Sequence, residues 1–180
     1  MRFVIALTAM CVLVSGCATK TVVITSRPAD DAAHSVTKSK AIVAANQLAQ
    51  GKQLYAAGKY EQAVKHFVRC LANDNQNWEA YYYLGLTQQK QARFDRAIGS
   101  LNSSLKFAPP KNQVRAGIFY ALGVSWENEG YLDKAHNYYK EASRLDPKLS
   151  NAQTALGRIE AKRLKAETSK RTKTRGAKAY

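Results

Sequence analysis

A chain of 180 residues with a formal net charge of +15 and a sequence pI near 9.9 has room for one domain plus extensions. It contains no Gly-rich phosphate loop, no G-x-S-x-G turn and no H-x-x-x-H pair, which excludes the nucleotide, serine-hydrolase and zinc chemistries those patterns carry. The chain opens on MRFVIALTAMCVLVSGC. Arg2 is a short positive region, and residues 3–14 form an apolar run too short to span a bilayer as a mature helix.

Val14, Ser15, Gly16 and Cys17 then follow the order branched, small, small, cysteine. This resembles the lipobox of bacterial lipoproteins, and the resemblance implies a signal peptide over 1–16, removed ahead of an acylated Cys17. Each buried methylene contributes roughly 0.8 kcal/mol, so several acyl chains would hold the protein on a membrane. Ala18 after the cysteine resembles the sorting signal of outer-membrane lipoproteins, which implies the periplasmic face of that membrane. An ordinary secretory signal or an uncleaved anchor is the alternative. Cys11 leaves with the signal and Cys17 carries lipid, so Cys70 alone remains and no intrachain disulfide can form. Residues 17–38 lack helical periodicity and hold Pro28, Asp30 and Asp31. They read as a flexible tether, able to reach roughly 65 Å if its ~20 residues are extended. The β-branched run Thr21–Thr25 could add to a partner's sheet edge, or simply be linker.

Helical spacing begins at Ser39. Gly51 precedes Gly85 by 34 residues and Gly123 precedes Gly157 by the same interval; Gly85 to Gly123 is 38, the extra four falling in the loop at Pro109 and Pro110. Twelve residues after the first three glycines stand Ala63, Ala97 and Ala135. Four further come Phe67, Leu101 and Tyr139, and three beyond those Cys70, Ser104 and Ala142. Gly and Ala let two helices approach closely while the large residue fills the gap one turn later. This period and ordering resemble the tetratricopeptide repeat. The resemblance implies an all-α solenoid over 39–165, with helix-turn-helix repeats at 44–77, 78–111 and 116–149. A capping helix over 150–165 follows, polar on its outer face through Arg158, Glu160, Lys162 and Arg163. The tail, 166–180, is basic and lacks apolar residues, and is expected to be disordered.

No catalytic constellation is visible. His34, His66 and His136 have no metal-ligand partners at suitable spacing, Asp30 and Asp31 lie in the tether, and Glu127 and Glu129 point to different helix faces. A non-enzyme without cofactor or metal is therefore expected. In tetratricopeptide repeats the first helices of successive hairpins line a groove that holds a peptide. Carried over by register, the groove positions are Leu48, Lys52 and Tyr55, then Tyr82, Leu86, Gln89 and Lys90, then Tyr120, Val124, Glu127 and Asn128. The cap adds Thr154 and Arg158. Tyrosines favour interfaces because they offer large contact area at low entropy; inter-repeat packing is their alternative role. The family's clamp for a terminal carboxylate finds Leu48, Tyr83 and Gly117 at its places, so that mode is unsupported.

The chain resembles small bacterial tetratricopeptide lipoproteins, among them pilotins of type IV pilus and secretion systems and Tad-type pilus assembly lipoproteins. That implies an adaptor gripping a protein segment of an envelope machine. The alternative is an envelope structural protein whose basic tail binds anionic cell-wall or lipopolysaccharide material and whose repeats self-associate. The tail has no aromatic before Tyr180, so nucleic-acid binding by base stacking is disfavoured.

Overall fold

The computed structural model describes residues 29–177, with side chains over 36–169. Seven helices follow in order: α1 (Ala29–Ala56), α2 (Tyr60–Asn73), α3 (Trp78–Lys90), α4 (Phe94–Phe107), α5 (Asn112–Asn128), α6 (Leu132–Leu145) and α7 (Ser150–Ala177). The pairs α1–α2, α3–α4 and α5–α6 form antiparallel hairpins. Each packs on the next, and along one side α1 also touches α3 and α3 touches α5. α7 closes the stack against α6. The signal peptide, Cys17, residues 17–28 of the tether and residues 178–180 lie outside the described residues.

The glycine ladder has a direct steric cause. A Cβ at Gly51 would stand 2.5 Å from the Phe67 ring, at Gly85 2.7 Å from Leu101, and at Gly123 2.6 Å from the Tyr139 ring. Those three large residues are fully buried, as are the small residues one turn on, Cys70, Ser104 and Ala142. Gly157 has nothing within 4 Å of its would-be Cβ, because no second helix packs against that face of α7. Instead α7 buries Ala152, Ala155 and Ile159 on the last hairpin. Arg158 and Lys162 stay exposed on this terminal cap while both reach back to Glu127 of α5.

The turns repeat as the helices do. Gly58 and Gly130 take positive φ values of 73° and 84°, and the same place in the middle hairpin is held by Ala92 at φ 55°. An L-residue there is strained by about 1–2 kcal/mol. Ala92→Gly is expected to raise stability by about 0.5–1 kcal/mol, since relieved strain exceeds the added unfolded-chain entropy; a urea midpoint shift at constant slope checks it.

Two expectations are corrected. Residues 29–38 of the expected tether belong to α1, and 166–177 of the expected disordered tail continue α7. Low apolar content argues against packing rather than against helix. Residues 166–177 are rich in Ala, Lys, Arg and Glu, which form helix readily, residues 29–38 hold three Ala, and neither stretch contains proline.

Candidate functional site

The first helices of the hairpins form one wall, and side-chain bonds link each to the next. Lys52 of α1 donates to Glu79 of α3 at 2.7 Å, with its ammonium 5.1 Å from the Tyr83 ring centre. The hydrogen bond to Glu79 holds the Lys52 ammonium above its ordinary pKa. Gln89 of α3 donates to the Ala121 carbonyl at 2.6 Å and to Ser125 Oγ at 2.7 Å, both on α5. Glu127 of α5 accepts from Arg158 and Lys162 of α7, each at 2.7 Å, and from the Tyr139 hydroxyl of α6 at 2.8 Å.

Burial opposes ionisation of Glu127. Hydrogen bonds from Lys162 and Tyr139 and the charges of Arg158 and Lys162 outweigh it, so the carboxyl is held below its usual value. The Tyr139 phenol is pushed up by burial and by its bond to Glu127.

The candidate groove residues divide into three groups. Leu48, Leu86 and Val124 are partly buried in the core clusters between helices. Lys52, Gln89 and Glu127 are engaged in the bonds that join the wall. Tyr55, Tyr82 and Tyr120 are half-buried: Tyr55 meets Tyr83 edge-on at 5.8 Å, Tyr82 meets Tyr83 at 5.6 Å, and Tyr120 lies 5.7 Å from Tyr139. Burial pushes the phenols of Tyr55 and Tyr82 up. Tyr55 thus reaches the next hairpin through Tyr83, Tyr82 packs toward Gly117 and Ile118 of α5, and Tyr120 packs on Tyr139 of its own hairpin and the cluster with α7; all three still present part of their surface. Lys90, Asn128, Thr154 and Arg158 are exposed.

Register alone did not reveal a pocket of about 210 Å³ between α3 and α5, lined by Trp78, Glu79, Tyr82, Val114, Gly117 and Ile118 among others. Gly117 opens it: a Cβ there would meet only the Tyr82 hydroxyl, at 3.8 Å. The sequence signal was a glycine inside a helix with no large residue assigned to face it. Cys70 is buried, and burial pushes its thiol up to about 11, which leaves it a packing group rather than a nucleophile. Among the described residues no three His, Cys, Asp or Glu side chains gather as a metal-holding group. No described helix is long and apolar enough to cross a membrane.

Two models of the tetratricopeptide repeat match residues 48–112 and 116–149, together more than half of the chain. The chain belongs to the tetratricopeptide-repeat family. Its repeats resemble a part of human protein O-mannosyl-transferase TMTC1, 25% identical over 114 residues; the match takes in 63% of this chain and only 13% of that protein. Two solved structures share the fold. One is the second tetratricopeptide domain of human RPAP3, in complex with an HSP70 peptide. Its TM-score is 0.60 at 20% identity, covering 69% of this chain and 98% of that one. The other is the Yersinia enterocolitica type III secretion chaperone SycD with a peptide of the translocator YopD. Its TM-score is 0.59 at 19% identity, covering 66% and 92%.

Proposed function

We propose that this tetratricopeptide-repeat protein is a non-enzymatic adaptor that grips a peptide segment of a partner protein on the wall formed by α1, α3, α5 and α7. The observation that carries the reading is the pocket between α3 and α5, set among half-exposed tyrosines on that wall. RPAP3 and SycD, which share the fold, are both known in complex with peptides. Acylation at Cys17 would anchor the protein on the periplasmic face of the outer membrane, where it would help localise or assemble an envelope machine such as a pilus or secretion system. Anchorage raises the effective concentration of wall and cargo at one surface.

The second reading, binding of anionic envelope material through the basic end of the chain, draws on α7, which runs well past the last hairpin it caps. The two separate in one comparison. Gly117→Leu puts side-chain volume into the pocket at a position where a Cβ meets nothing closer than 3.8 Å, and is expected to abolish capture of the partner protein, while deletion of 166–180 leaves capture intact. The tail reading expects the reverse, with binding that falls steeply with added salt. Incorporation of a palmitate analogue, lost on Cys17→Ala, tests the anchor.

A further inference from the structure

Charges on the wall do not balance. Four cations lie on it by register or by contact, Lys52, Lys90, Arg158 and Lys162, against two carboxylates, Glu79 and Glu127. Glu79 is taken by Lys52. Glu127, its side chain 9% exposed, is shared by Arg158 and Lys162, whose side chains remain 55% and 50% exposed. One negative charge thus serves two cations, and both keep donors open to solvent. Lys90 is exposed and makes no hydrogen bond or ion pair among the described residues. In the repeat register Lys90 aligns with Asn128 and with Lys162, at the same end of successive first helices. That end of the wall therefore carries surplus positive charge beside the exposed amide of Asn128, while the other end holds the largely apolar pocket around Tyr82 and Gly117.

We infer that the segment gripped by this wall is an acidic peptide, one that places a large apolar side chain in the Trp78–Tyr82–Val114 pocket and a carboxylate against Lys90, with the Arg158–Lys162 pair on α7 open to a further acidic residue. The inference rests on the peptide-wall reading and names its ligand chemistry. Tyr82 and Lys90 are eight residues apart on α3, about 12 Å at 1.5 Å per residue. An extended peptide covers that distance in about four residues. The partner segment thus carries its acidic residue about four positions from its apolar anchor. That carboxylate is received at the Lys90 end of α3, away from Leu48, Tyr83 and Gly117. Internal pairing leaves a basic or neutral peptide without a counter-charge on this surface, since both wall carboxylates are already engaged.

A displayed library of random twelve-residue peptides, panned against the full chain, tests this. The expected consensus is a large apolar residue with Asp or Glu about four positions away. Binding of the selected peptides should fall about fivefold on Lys90→Glu, which removes one attraction and adds one repulsion at an exposed site, and tenfold or more on Gly117→Leu. Both variants should melt at or above the temperature of the parent, because Lys90 has no internal partner and Gly117 is a helical glycine with space beside it. Peptides that are sensitive to Gly117→Leu but rich in Lys and Arg, or indifferent to Lys90→Glu, overturn the acidic assignment and leave the wall reading standing. Peptides indifferent to Gly117→Leu, or no enrichment at all, overturn both.

Discussion

Tyr139→Ala is expected to lower stability by about 3–5 kcal/mol, a large share of what a domain of this size possesses. The ring is fully buried between α5, α6 and α7, and its removal leaves a cavity beside Gly123 and Glu127 without its phenol donor. Gly123→Ala should destabilise for the opposite reason, since its Cβ would stand 2.6 Å from that ring. The two effects share one space. In the double variant the new methyl enters the cavity, so the combined loss should fall short of the sum by at least about 1 kcal/mol. Urea titration of the four proteins measures that coupling. Strict additivity would mean that the glycine and the aromatic are not a packing pair.

Glu127→Ala is the second large effect, expected at about 2–3 kcal/mol because it strips a charged acceptor from three donors. The loss should concentrate at α7, whose further ion pairs, His136–Glu160 and Arg163–Asp133 to α6, each involve at least one well-exposed partner. The sign with pH follows from the lowered folded pKa. Glu127's contribution is fully present above the ordinary carboxyl value of 4.5 and is lost as pH falls through the lower folded value. Thermal melts of the parent should thus drop between about pH 5 and pH 3, and Glu127→Gln should flatten that part of the profile. A profile unchanged by Glu127→Gln would place the acid sensitivity elsewhere.

The ladder of glycine, alanine, large and small residues was legible because each member answers to one steric demand within a hairpin, and sterics leave a fixed spacing. Phe67, Leu101 and Tyr139 stand where that spacing puts them. What was not legible depends on groups arriving from different helices. Glu127 occupies a groove position by register. Its fate was decided by Tyr139 of α6 and by Arg158 and Lys162 of α7, whose convergence no local pattern encodes. Gln89 likewise met a buried serine and a carbonyl on α5. The helical course of 166–177 is not legible from apolar periodicity, because composition there favours helix without any face to pack.

The central claim, that the first-helix wall is where a partner binds, is tested most directly by photocrosslinking in the cells that make the protein. A photoreactive residue at Gln113, exposed on the rim of the α3–α5 pocket, is compared with one at Asn102, exposed on α4. One dominant crosslinked partner is expected from Gln113, absent from Asn102 and abolished by Gly117→Leu. Equal capture from both positions, or capture at Gln113 that survives Gly117→Leu, would contradict it.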